Sequence, residues 1–209
     1  MIKTGISGLN QQIKGYKPEV TMIYGGAATG KTTLCMMLAL DLANKGDKVI
    51  FMDSENGFSV ERANQIKNNF KYMAHNIFLF RIKNFKEQTN FFENLPRLVK
   101  GGDFSAIIID TIGMHYRKAL KDDSYSANKE INKEFDFLKQ LSDKVPVIVT
   151  NQIYSKLNGQ DSPVGGEMVK KLSDCVMELK KNDKRELEIK KPINKRIHFE
   201  IKEEGIVVK

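Results

Sequence analysis

The stretch Val20-Thr21-Met22-Ile23-Tyr24-Gly25-Gly26-Ala27-Ala28-Thr29-Gly30-Lys31-Thr32 decides the fold. Val20 to Tyr24 reads as a buried strand that ends on a glycine pair. Gly25 to Thr32 has the spacing G-x-x-x-x-G-K-[ST], and Thr32–Asn44 after it reads as a helix closed by Gly46. Between a strand and a helix, the glycines let the backbone wrap so that its N–H groups point at phosphate oxygens. The helix adds the positive end of its dipole. Lys31 is placed to reach the β- and γ-phosphates, and the Thr32 hydroxyl is a hard oxygen ligand of the kind magnesium needs. The segment implies a nucleoside triphosphate with magnesium.

Outward from it, strands and helices alternate. Strands are expected at Lys48–Asp53, Ile77–Ile82, Ala106–Asp110 and Val145–Thr150. Helices are expected near Val60–Tyr72, at Phe85–Lys100 and at Tyr125–Ser142. The phenylalanines 85, 91 and 92 have helical spacing and read as core. This alternation means an α/β fold with a mostly parallel sheet flanked by helices. After residue 160 the pattern becomes short alternating segments, Cys175–Leu179, Glu186–Lys190, Ile197–Ile201 and Ile206–Val208. These read as antiparallel C-terminal strands extending one sheet edge, with turns at Asn182-Asp183 and Glu204-Gly205. The first nineteen residues show little pattern.

At 209 residues the chain fits one domain rather than two. No apolar run approaches the ~20 residues of a membrane span, and the N-terminus lacks an apolar signal core, so a cytoplasmic location is expected. Cys35 and Cys175 lie in apolar runs and read as small buried hydrophobes, not a disulfide or metal pair. His75, His115 and His198 show no ligand spacing. The net charge of +8 permits an anionic partner. Residues 180–196 hold eight basic residues against three acidic ones.

Further strand ends carry candidate chemistry. An apolar strand ending in Asp110 either caps a turn or sets a carboxylate beside magnesium; the P-loop favours magnesium. Glu55, after Asp53 and Ser54, is either a solvated loop acid or the group that accepts a proton from an attacking water. Gln152, after Thr150 and Asn151, offers a neutral amide to the γ-phosphate or its water. Residues 153–166 then form either an ordinary loop or one ordered by nucleotide state.

Taken together these pieces resemble the RecA-type recombinase ATPases, and within them the short archaeal branch, over nearly the whole chain from Thr4. Gly25–Thr33 resembles the Walker A segment. Phe51–Phe58 with Glu61-Arg62 resembles the strand with the catalytic Glu and its following helix. Ile107–Asp110 with Thr111 and Tyr116-Arg117 resembles Walker B and the start of the first DNA-binding loop. Asn128-Lys129-Glu130 resembles the Asn-x-Glu at the start of the next helix. Thr150–Ser155 with Pro163–Gly166 resembles the sensor Gln and the second DNA-binding loop.

The resemblance implies a single RecA-like P-loop ATPase core over residues 1–209, with ATP and Mg2+ as cofactors. Nucleotide contacts would come from Gly25, Gly26, Ala27, Ala28, Thr29, Gly30, Lys31, Thr32, Thr33, Gln152 and a base-stacking Arg62. Thr32 and Asp110 would hold the metal, with Lys31 and Glu55 catalytic. The expected partners are DNA and the main recombinase of the same cell, with weak ATP hydrolysis in recombination and repair. The N-terminal helical domain of full recombinases is not expected. No Phe-x-x-Ala occurs in the sequence, so filament assembly through that segment is not expected either. Ser59 stands where many members have Arg.

DNA is expected on loops near residues 116–121 and 153–166. Arg117, Lys118, Lys121 and Lys156 would meet phosphates, and Tyr116 and Tyr154 would stack on bases. Two other readings compete: a RecA-fold nucleotide switch acting on protein partners without DNA, and a small P-loop phosphotransferase. Phosphotransferases of that kind need an arginine-bearing lid, whereas residues 153–166 carry only Lys156 as a basic residue.

Overall fold

The computed structural model describes residues 1–155 and 161–209. Its strands are β1 (Val20–Gly25), β2 (Lys48–Asp53), β3 (Ile77–Arg81), β4 (Phe104–Asp110), β5 (Val147–Ser155), β6 (Asp161–Pro163), β7 (Cys175–Lys181), β8 (Arg185–Lys191), β9 (Lys195–Lys202) and β10 (Gly205–Val208). The helices are α1 (Ser7–Ile13), α2 (Lys31–Asn44), α3 (Val60–Ile66), α4 (Phe85–Gly101), α5 (Gly113–Asp122), α6 (Ser124–Ser142) and α7 (Gly166–Lys171).

The sheet runs β10-β9-β8-β7-β1-β5-β4-β2-β3, with β6 paired to β5. Strands β7, β1, β5, β4, β2 and β3 are mutually parallel, and β8, β9 and β10 continue antiparallel. The fold is the expected α/β class. One detail is corrected: β7 is parallel to β1, so the antiparallel extension begins at β8. The cause is the connection, since the chain returns through α7 before β7 and a tight hairpin follows only after Lys181.

Why the central strands read as unbroken apolar runs is plain from the packing. Val49, Phe51, Ala106, Ile108 and Ile148 face one core with α2. Ile50, Met52, Ile107, Ile109, Val147 and Val149 face the other, under α4 and α6. Burial on both faces removes the alternation of a half-exposed strand. Helix α2 buries Leu34, Cys35, Met36, Leu38, Ala39, Leu40, Leu42 and Ala43, so its apolar residues go round rather than along one stripe. Phe91 and Phe92 are core and Phe85 packs against it. Both cysteines are buried and free.

The helix expected over Val60–Tyr72 is broken. α3 ends at Ile66, Asn69 takes a left-handed φ of 64°, and a separate 3-10 turn spans Phe70–Tyr72. The Asn64 side chain accepts from the Phe70 N–H, offering the backbone a partner other than the next helical turn. α1, α5 and α7 have no side-chain cap at their starts, so the commonest sequence signal of a helix is missing there. Among the described residues no helix is long and apolar enough to cross a membrane.

Candidate nucleotide-binding site

The carboxyl ends of β1, β2, β4 and β5 lie side by side, which is the crevice where parallel α/β sheets hold ligands. β1 delivers the loop Gly25–Gly30, and α2 starts at Lys31. Gly30 has φ 109°, and a Cβ there would stand 2.8 Å from Ile201 Cδ1. The left-handed backbone favours glycine there, and a side chain would also have to displace the tip of Ile201. Lys31 is buried, and its ammonium donates to the Gly25 and Gly26 carbonyls at 2.9 and 2.8 Å. Burial pushes its pKa down, while the charges of Glu55 and Asp110 oppose that.

Ala27, Ala28, Thr29, Gly30, Lys31, Thr32, Thr33, Glu55, Asp110, Gln152 and Ile201 line one pocket of about 240 Å³. It gathers most of the nucleotide, metal and catalytic residues expected from sequence. Gly25 and Gly26 precede its lining on the same loop, and Arg62 stands apart on α3. The Arg62 guanidinium donates to the Lys202 and Glu203 carbonyls in the β9–β10 turn and to Gln65.

Each strand end fixes its residue by a separate device. The Asp53 carboxylate is fully buried and accepts the N–H groups of Glu55, Gly57 and Phe58, curling the chain so that Glu55 is presented. Ser54 ties β2 to β4: its N–H donates to Asp110 O, its hydroxyl to Thr111 O, and Thr111 N–H donates back to that hydroxyl. Gln152 Nε2 donates to Glu55 Oε1 at 2.6 Å. The expected sensor amide and the expected base are thus in contact across the site.

Asp110 is almost fully buried. One carboxylate oxygen accepts from the Thr150 hydroxyl, and the other, Oδ2, has no partner among the described residues. Burial pushes its pKa up, and the Thr150 and Thr32 hydroxyls pull it back. A buried, unpartnered carboxylate oxygen beside a threonine hydroxyl is a hard-oxygen donor set that suits magnesium.

The expected DNA residues are placed differently. Residues 116–121 belong to helix α5, not a loop. Tyr116 is 1% exposed, and its hydroxyl donates to Asn128 at 2.6 Å. It is a core residue in this arrangement, and the expectation that it stacks on a base is corrected. Its neighbours Arg117, Lys118 and Lys121 are exposed and lie with Met114 at i, i+3, i+4 and i+7, one face of α5. Tyr154 is 38% exposed, and Lys156 lies outside the described residues.

Asn151 joins this region to the site. It is buried, donates to Val164 O, and leaves 2.1 Å between its Oδ1 and a Cβ built on Gly113. Only glycine fits at that start of α5. Asn151, Gln88 and Glu134 were not expected as functional residues: Gln88 and Glu134 stand among other polar residues of their helices, and Asn151 beside Gln152, so no local pattern marks them as buried. Gln88 Nε2 donates to Glu134 Oε2 at 2.8 Å and to Ile112 O at 3.2 Å, under the turn that leaves Asp110.

The model of the Rad51 family matches residues 1–207. The chain belongs to that family. Among curated Rad51-family relatives it is 32% identical over 203 residues to the DNA repair and recombination protein RadB of Methanocaldococcus jannaschii, covering 92% of this chain and 94% of that one. The RadB of Methanococcoides burtonii is 33% identical over 168 residues, covering 78% and 74%. A solved structure described as the RadB recombinase superposes with a TM-score of 0.82 at 27% identity, over 99% of both chains. The family assignment agrees with the resemblance carried by the strand-end motifs. Ser59, which stands where many members have Arg, is the N-cap of α3 in the structure, its hydroxyl accepting from Arg62 N–H.

Proposed function

We propose that this Rad51-family chain is an ATP-binding, DNA-binding accessory protein of homologous recombination and DNA repair, with weak magnesium-dependent ATP hydrolysis. The observation that carries the reading is the convergence of Lys31, Thr32, Asp110, Glu55 and Gln152 on one pocket at four strand ends. The names of its RadB relatives supply the biological setting.

In this reading the loop amides and Lys31 bind the triphosphate. Thr32 and Asp110 would hold magnesium, whose chemistry when bound is to neutralise developing phosphate charge. Glu55 takes a proton from the water that attacks the γ-phosphorus. The bond from that phosphorus to the β–γ bridging oxygen breaks, leaving ADP and phosphate. Gln152 holds Glu55 in place and links it along β5 to Tyr154. DNA lies against the basic face of α5, and the main recombinase of the cell is the expected protein partner.

Equilibrium DNA binding across salt concentrations, with and without MgATP, tests the reading. Salt-sensitive binding that responds to MgATP is the expected result. MgATP binding with no salt-sensitive DNA binding would replace it with a nucleotide switch acting on protein partners, the reading that the burial of Tyr116 favours.

A further inference from the structure

The crown of the nucleotide loop is held from outside by a residue that the loop's own motif does not contain. Arg185, the first residue of β8, reaches 157 positions back along the chain and donates from Nη1 to the Ala28 carbonyl at 2.6 Å. Two other carbonyls of the loop are met from within it: Gly25 and Gly26 by the Lys31 ammonium, and Gly26 also by the Thr29 hydroxyl at 2.9 Å. Ala28 has a left-handed φ of 56°, so it is the loop residue whose backbone most needs holding.

The C-terminal sheet is built to place this contact. β7 pairs in parallel with β1 through Gly25 opposite Leu179, so the β7–β8 hairpin emerges beside the loop. Ile201 of β9 lies against Gly30 and walls the same pocket.

We infer that Arg185 is a positioning residue for the nucleotide phosphates, acting through the Ala28–Thr29 peptide. A charge-assisted hydrogen bond to the Ala28 carbonyl polarises that peptide and makes the Thr29 N–H a stronger donor. The guanidinium fixes the crown in its left-handed turn and adds positive potential near the phosphates. This rests on the reading of the pocket as a nucleotide site, and it makes the β7–β8 hairpin part of that site.

The test is calorimetric titration of MgADP into the full chain and its Arg185→Ala, Arg185→Gln and Arg185→Lys variants, with melting temperatures measured without nucleotide. Losing one such bond should weaken MgADP about three- to tenfold in Arg185→Ala. Arg185→Lys should restore most of the affinity, and Arg185→Gln should fall between. A purely structural role would lower the melting temperature and leave the affinity of the folded protein unchanged, and that result overturns the inference. Should Arg185→Ala not fold, unchanged affinity in Arg185→Gln is equally decisive. Failure of the unaltered chain to bind MgADP would instead remove the nucleotide reading itself.

Discussion

Lys31 and Glu55 divide the work of the pocket, and two substitutions separate their roles. The Lys31 ammonium lies at the mouth of the loop, drawn to its carbonyls. Removing it deletes charge-assisted contacts to phosphate worth roughly 1.5–3 kcal/mol. Lys31→Ala should therefore weaken MgATP binding at least tenfold by calorimetry; unchanged affinity would mean the site is not used. Glu55→Gln keeps the size of the side chain and can still pair with Gln152, yet cannot take a proton. It should bind MgATP normally and lose about 10²–10⁴ in turnover under single-turnover conditions. Equal turnover in the variant and the unaltered chain would take the base role from Glu55. At this scale the residues that line the pocket were legible because strand-end carboxylates and a glycine loop are local patterns. Tyr116 was misread because the same letter serves a stacking platform and a core residue. Its burial and the Asn128 side chain that holds its hydroxyl tell them apart.

Between residues and the whole molecule, the elements carry a buried polar link that local pattern could not show. Glu134 on α6 is 1% exposed and accepts from Gln88 on α4, which also holds the Ile112 carbonyl below Asp110. The remaining oxygens, Gln88 Oε1 and Glu134 Oε1, have no partner among the described residues. Burial pushes the Glu134 carboxyl up to about 8, so it is protonated at neutral pH and carries a donor of its own. The folded pKa lies above the unfolded value. The contribution is complete below about pH 4.5 and is lost as pH rises toward 8. Native stability should thus carry a falling component of up to about 1.4 kcal/mol per pH unit across that window. Glu134→Gln mimics the protonated acid and should remove that component in urea melts at stepped pH. A variant with the same slope as the unaltered chain would show that Glu134 does not titrate there. The strands and long helices were legible from period and length. α5 and α7 were not, because they start without a capping side chain, and the break in α3 depends on Asn64 competing for the Phe70 amide.

Across the whole molecule the question is where a net charge of +8 would meet an anion. The sequence offered two surfaces, and packing distinguishes them. The C-terminal strands hold the densest run of lysine, but several of those charges are answered. Lys180 and Lys190 each pair with both Glu178 and Glu188, at 2.6 to 3.3 Å, and Arg196 reaches Glu188 at 3.5 Å. The Lys180 and Lys190 ammoniums hold the Glu188 carboxyl down at about 2, so the network stays ionised through the neutral range. Lys191 is spent on the Ser173 carbonyl. On α5, Arg117, Lys118 and Lys121 share an exposed face and make no ion pair among the described residues. That face starts where Asn151 and Gly113 meet, one residue from Gln152, so nucleotide contacts at β5 lie next to it. Each phosphate contact contributes about 0.7 to 0.9 to the slope of log affinity against log salt. Changing Arg117 and Lys118 together to Ala should flatten that slope by more than one unit. Changing Lys190 and Lys191 together should alter it less and mainly lower the melting temperature, because it leaves Glu178 and Glu188 short of a cation. If the strand pair flattens the slope more, DNA lies across the C-terminal strands and the α5 face is not its site.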